Sequence, residues 1–220
     1  MKVLSLCTSA GLWDKAFLEA GCTVIPGCEI MAHKRAIYRA FVGGEHLCAD
    51  INDLPAFAHL LQDVDLIIGG IPCQSRSKTK NLHEPKFGDL LPALLAVLQA
   101  LPNVPYLLEN VAPLDIPGAA HARLNAANYG QPHQSRVRYF TFSPGLIVPA
   151  PKYAGTVDDL MAYSVVAGRI YGPKRGAKLQ GWPEFADLRF PCAQLQEALA
   201  DGVPRGLADA WIAANNWRMK

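Results

Sequence analysis

A doubly wound α/β fold with a mostly parallel sheet is the architecture this sequence predicts, on three observations. Short runs of consecutive apolar residues, the mark of strands buried on both faces, recur along the chain. Segments with apolar residues at helical spacing stand between them. Half of the 220 residues are hydrophobic, which suffices for one well-buried core, while the chain is too short for two large domains.

Lys2 to Leu6 reads as a buried strand, and Leu12, Ala16, Phe17 and Ala20 then follow helical spacing up to Gly21. The alternation continues with a strand at about Thr23 to Cys28, a helix at about Met31 to Ala40, a short strand ending near Asp50 and a helix near Phe57 to Leu61. Val64 to Gly69 is a further buried strand. From Gly70 to Gly88 the chain turns polar and basic without apolar periodicity, which predicts a mobile loop. Leu90 to Leu101 restores a helix, and Val104 to Glu109 and Val137 to Phe142 are strands. Glycines, prolines and polar residues break the pattern from Ser143 to Gly176, and helices at about Ala193 to Leu199 and Arg205 to Asn215 close the chain. The expected division is a main domain over 1–142, a small appendage over 143–178, and terminal helices over 179–220 that return to the main domain.

Lys and Arg total 21 against 19 Asp and Glu, and a net charge of +2 excludes global capture of a polyanion, so any nucleic-acid contact must come from local basic patches. The six cysteines, at positions 7, 22, 28, 48, 73 and 192, include no Cys-x-x-Cys pair, which argues against a metal site and a disulfide framework and for reduced thiols in a cytoplasm. The N-terminus is too soon interrupted for a signal peptide, and no apolar run approaches the roughly 20 residues that a membrane span needs.

Ligands of such sheets bind beyond the carboxyl ends of the strands, and three chemically notable groups fall there. Cys73 follows the strand ending at Gly69, with Arg76, Lys78 and Lys80 close behind. Positive charge stabilises a thiolate and also attracts phosphate. Glu109 ends an apolar strand, where a carboxylate is costly unless paired or used. Arg136 and Arg138 stand two residues apart, on one face of a strand. Each has a bland alternative: a structural thiol, a satisfied carboxylate, a solvated edge.

The ordered combination resembles the DNA cytosine-5 methyltransferase family along nearly the whole chain. Pro72-Cys73-Gln74 and Glu109-Asn110-Val111 are the strongest matches. Leu124-Asn125-Ala126-Ala127-Asn128-Tyr129-Gly130 with Gln134-Ser135-Arg136-Val137-Arg138 resembles the segment with the family's Gln-x-Arg-x-Arg core. Leu179-Gln180-Gly181-Trp182-Pro183 is similar to Leu-Gln-Gly-Phe-Pro, and Val203-Pro204 to the end of Gly-Asn-x-Val-Pro. On the donor side, Ser5-Leu6-Cys7-Thr8-Ser9-Ala10-Gly11-Leu12 aligns with Asp-Leu-Phe-x-Gly-x-Gly-Gly and keeps the central glycine.

The resemblance implies a Rossmann-like methyltransferase fold and S-adenosylmethionine as donor. Cys7, Thr8, Ser9, Gly11 and Leu12 would form the turn that holds it. Glu29 with Ile30 would meet its ribose, Asp50 and Ile51 its adenine, and Pro72 would line the same pocket. Cys73 would add to carbon 6 of a flipped-out cytosine, Glu109 would hold the ring's nitrogen edge, Arg138 its carbonyl oxygen, and Arg136 would orient Glu109 or a phosphate. Gln74, Ser75, Arg76, Ser77, Asn110, Lys174 and Arg175 would contact or frame the nucleic acid. The implied substrate is duplex DNA, with no metal and no membrane, in a bacterial or phage-infected cytoplasm and a setting such as restriction–modification.

Only about 40 residues separate Phe142 from Leu179, where the family usually inserts a long recognition domain. Lys152, Arg169, Lys174, Arg175 and Lys178 mix there with Tyr153, Tyr163 and Tyr171, which suits phosphate contact and base stacking. The expectation is a short or relaxed recognition sequence, or recognition completed by a second subunit. Further departures are His133 between Pro132 and Gln134, Ser75-Arg76-Ser77 for x-Phe-Ser, and Asp201 for Asn, the last expected to weaken packing of the recognition segment. Transfer RNA is the alternative substrate, since a few enzymes resembling this family act on it. A non-catalytic module or one subunit of a split enzyme is the alternative of another class.

Overall fold

The computed structural model describes residues 1–72, 88–130, 136–152 and 172–217. Its centre is a six-stranded sheet of β1 (Lys2–Leu6), β2 (Thr23–Pro26), β3 (Leu66–Gly70), β4 (Tyr106–Asn110), β5 (Ala120–Asn125) and β6 (Val137–Phe142). The strand order is β2-β1-β3-β4-β6-β5. The first four strands run parallel, whereas β6 runs antiparallel to both β4 and β5. The helices are α1 (Leu12–Glu19), α2 (Ala32–Phe41), α3 (Leu91–Ala100), α4 (Pro173–Leu179), α5 (Cys192–Asp201) and α6 (Arg205–Ala214).

Side chains alternate across the sheet because a strand has period two, so it feeds two cores. Val3, Leu66, Ile68 and Leu107 face one side, against Trp13 and Phe17 of α1 and Leu207 and Trp211 of α6. Leu4, Leu6, Ile67 and Leu108 face the other, against Leu94 and Val97 of α3. Trp211 is fully buried and holds the end of the chain to the sheet through ring contacts with Phe140 and Phe142 at 5.4 and 5.2 Å.

The structure corrects two expected elements and adds a strand. The strand near Asp50 is a single bridge between Cys28 and Cys48. The helix near Phe57 is a 3-10 helix spanning Ile51–Leu60, begun by an Asp50 cap and carrying Pro55 inside. Strand β5 has no counterpart among the expected elements. Its sequence AHARLN alternates small and polar residues, as an outer strand can, and gives no apolar signal. Among the described residues no helix is long and apolar enough to cross a membrane.

Chain direction decides what meets at one edge. The parallel strands β1 to β4 bring their carboxyl ends together, and antiparallel β6 brings its amino end to the same place. Gly70 therefore stands opposite Glu109, Glu109 opposite Phe140, and Asn110 opposite Tyr139. The sheet's order reverses around β1, which opens the crevice in which such sheets bind ligands.

Candidate active site

At that edge Glu109 is 6% exposed, and Arg138 Nε reaches its Oε1 at 2.6 Å. The contact is an ion pair without aligned hydrogen-bond geometry, and Oε1 has no hydrogen-bond partner. Burial pushes the Glu109 carboxyl up, and the guanidiniums of Arg138 and Arg136 oppose the rise. The net direction is upward, because the carboxylate is almost fully dehydrated and its nearest cation is poorly aligned. A Cβ added at Gly70 would lie 3.5 Å from Oε2, so the glycine leaves open space over the acid.

Asn110 ties the two central strands together beyond their ends. Its Nδ2 donates to the Ile71 carbonyl at 3.0 Å, while its Oδ1 accepts from the Val111 N–H at 2.6 Å. The backbone that leads to residue 73 is thereby held beside Glu109. Pro72 is half-buried at this point. Cys73, Gln74, Ser75, Arg76 and Ser77, with most of the expected Gly70–Gly88 loop, lie outside the described residues.

Arg136 has other partners than those expected of it. It is 5% exposed, and its Nη2 donates to the carbonyls of Ala200 at 2.5 Å and Gly202 at 3.1 Å. Burial and the neighbouring Arg138 lower its pKa to about 9. The spacing of two puts both arginines at one edge but gives them different roles, for Arg138 meets the acid while Arg136 clasps the end of α5. Asp201, at the end of α5, accepts from Lys34 Nζ of α2 at 2.5 Å.

The turn from β1 to α1 takes the left-handed conformation at Cys7, Ser9 and Gly11, with φ of 49°, 50° and 76°. A Cβ on Gly11 would meet Val42 and Tyr38 at 2.5 and 2.6 Å, which is why glycine stands there. The N–H groups of Cys7, Thr8 and Gly11 are taken by Cys28 Sγ, the Cys28 carbonyl and the Thr8 carbonyl. Ser9 is 7% exposed and its Oγ has no partner, whereas its N–H donates to Glu29 Oε2 at 2.9 Å. Glu29 Oε1 accepts from the Met31 N–H at 2.9 Å, and Arg35 donates to the carbonyls of Glu29 and Ile30 at 2.6 and 3.0 Å. Ile30 is 45% exposed, an apolar face beside the acid.

Asp50 caps the 3-10 helix through Oδ1, accepting from the Asn52 N–H at 2.9 Å, and Ile51 is buried. Cys7 is half-buried, and a hydrogen bond with Cys28 followed by burial pushes its thiol well up. The Leu12 side chain belongs to the core: a Cβ on Gly202 would overlap it. Lys174, Arg175 and Lys178 are exposed on α4. Among the described residues no group of three or more His, Cys, Asp or Glu could hold a metal ion.

Sequence reasoning missed the polar network beneath the turn. Ser5 Oγ and Tyr38 Oη donate to the buried Asp14 at 2.7 and 2.9 Å, and His46 Nε2 lies 2.8 Å from Thr8 Oγ1. Ser5 in place of the usual acid was a signal that a carboxylate should be sought nearby. His46 follows a glycine pair and left no sequence signal.

A family model described as C-5 cytosine-specific DNA methylase matches residues 1–117, from β1 past Glu109 and Asn110. The chain belongs to this family. No curated protein sequence matches it. Among solved structures, the Spodoptera frugiperda DNMT2 E260A/E261A/K263A mutant aligns with a TM-score of 0.71 at 16% identity, over 98% of this chain and 99% of that one. The S. pombe Dnmt2 methyltransferase aligns at 0.63 and 14%, over 97% of both chains. A putative DNA modification methyltransferase encoded within a prophage of E. coli aligns at 0.69 and 14%, over 99% and 98%. At these identities the likeness is one of fold.

Membership of the cytosine-5 methylase family implies a methyltransferase that uses S-adenosylmethionine on a nucleic acid. The residues present fit that donor: the unpartnered Ser9 Oγ, and exposed Ile30 beside buried Glu29, offer contacts for polar groups and an apolar ring face.

Proposed function

We propose that the chain methylates carbon 5 of cytosine in DNA, with Cys73 as nucleophile. The observation that carries this reading is the buried Glu109–Arg138 pair beside Gly70, at the point where Asn110 fastens the backbone running into Pro72-Cys73-Gln74.

In this reading the Cys73 thiolate adds to carbon 6 of a flipped-out cytosine, and the new carbon–sulfur bond drives electron density into the ring. The protonated form of Glu109, which burial favours, donates to ring nitrogen 3 and steadies the charge that develops there. Arg138 faces the ring's carbonyl oxygen. Bound S-adenosylmethionine supplies an electrophilic methyl carbon for carbon 5. Water takes the carbon 5 proton as the carbon–sulfur bond breaks, which restores the ring and the free thiolate.

Thr8, Ser9, Gly11, Glu29, Ile30, Asp50 and Pro72 hold the donor. Arg136 acts as a positioning residue, through the α5 carbonyls it binds. Gln74 to Ser77, Lys174 and Arg175 meet the nucleic acid, and the short segment 143–178 implies a short or relaxed target sequence, or one completed by a second subunit.

Labelled methyl transfer to duplex DNA, single-stranded DNA and transfer RNA tests the substrate. Duplex DNA is expected to accept label. Label confined to transfer RNA would replace DNA in this reading, and no label on any of the three would overturn it.

A further inference from the structure

The polar groups beneath the β1–α1 turn form a connected path that neither the methyl-transfer chemistry nor the donor contacts above account for. Asp14, 1% exposed, accepts from Ser5 at the end of β1 and from Tyr38 of α2. The Tyr38 ring fills the space above Gly11 and meets the His46 ring edge-on, with centroids 4.7 Å apart. His46 Nε2 then meets Thr8 Oγ1 at 2.8 Å, and Thr8 also points its hydroxyl at the Ser9 carbonyl at 3.3 Å. The turn whose Ser9 Oγ is unpartnered is thus gripped from β1, α2 and the loop after α2.

We propose that His46 is a positioning residue for methyl-donor binding, fixing Thr8 so that the 7–11 turn is already shaped when the donor arrives. The inference rests on the reading of this turn as the donor site. A hydroxyl has one proton, and with that proton on the Ser9 carbonyl Thr8 Oγ1 is the acceptor, so His46 carries its proton on Nε2. Burial, reinforced by Arg35, holds the imidazole neutral by lowering its pKa to about 4. Tyr38 restricts the ring's tilt and so aims Nε2. A turn shaped before binding loses less freedom on capture, and the gain appears as affinity.

Calorimetry with S-adenosylhomocysteine on the full chain tests this, with thermal unfolding of each variant alongside. His46→Ala is expected to bind about tenfold more weakly, the consequence of losing the hydrogen bond that the near-buried Thr8 hydroxyl accepts. Thr8→Val should lose a similar factor, and the double variant should lose no more than either single one. His46→Gln, which can still donate to Thr8, should recover most of the affinity. In the wild type, imidazole nitrogen NMR should report the Nε2-protonated neutral form. Wild-type binding that His46→Ala leaves unchanged, or losses that simply add, would overturn the inference alone. Failure of the wild type to bind would overturn the donor-site reading as well.

Discussion

Replacing Asp14 by Asn probes the burial of a carboxylate beneath the β1–α1 turn. Asp14 is 1% exposed, and burial raises its pKa from 3.8 to about 6 against the opposing effect of the Ser5 and Tyr38 hydroxyls. The folded value lies above the unfolded one, so the native state holds this proton more tightly. Its contribution to stability is fully present below the unfolded pKa and is lost as pH rises through the folded one. At about 1.36 kcal/mol for each pH unit between the two values, the whole effect is about 3 kcal/mol. Asn keeps an acceptor for one hydroxyl and a donor for the other, but does not titrate. Urea unfolding of both proteins from about pH 8 down to about pH 4 should therefore shift their stability difference by about 2–3 kcal/mol in favour of the wild type. Other raised groups, Glu109 among them, cancel in that difference. A difference that stays constant with pH would refute the argument, because it would mean that Asp14 ionises in the native state as easily as in the unfolded chain.

Three further outcomes follow from the site. Glu109→Gln should lower the rate of methyl transfer by about a hundredfold or more while leaving S-adenosylhomocysteine affinity within about threefold, since the acid is assigned to the developing ring charge. Paired rate and calorimetry measurements would separate the two. Asn110→Ala should cost about 1–3 kcal/mol by leaving the Ile71 carbonyl unbonded, and should slow transfer more than it weakens donor binding. Urea unfolding and steady-state kinetics check this, and a fully active variant would dissociate the tether from catalysis. Arg136→Met should destabilise the fold by about 2–5 kcal/mol, because two carbonyls at the end of α5 lose a charged donor. Thermal unfolding would show it, and a wild-type midpoint would contradict the positioning role.

What the sequence revealed followed its periodicities. β1, β3 and β4 were readable as short consecutive apolar runs, and α1 because its apolar residues keep helical spacing over the element. β5 was not, since an outer strand written AHARLN carries no such stripe. The reversal of β6 does have a signal in the sequence: no helical pattern separates Val111 from Arg136, and parallel neighbours need a crossover. That reversal is what puts Arg138 against Glu109. Single residues were legible where their type is costly, as with a carboxylate ending an apolar strand. Partners supplied from distant segments were not, which is why Arg136's bonds to the carbonyls at the end of α5 and Lys34's pairing with Asp201 came only with the fold. Tyr38 and His46 read as an ordinary helix residue and a loop residue until the fold carried them under Gly11 and Thr8.

The proposed reaction turns on a bond between the Cys73 sulfur and a pyrimidine ring. Duplex DNA carrying 5-fluorocytosine, offered together with S-adenosylmethionine, tests it most directly, because fluorine at carbon 5 blocks the final elimination and traps the adduct. The wild type should yield a denaturation-resistant protein–DNA complex and Cys73→Ala none. A complex that persists in Cys73→Ala, or no complex from a wild type that methylates ordinary DNA, would contradict the account.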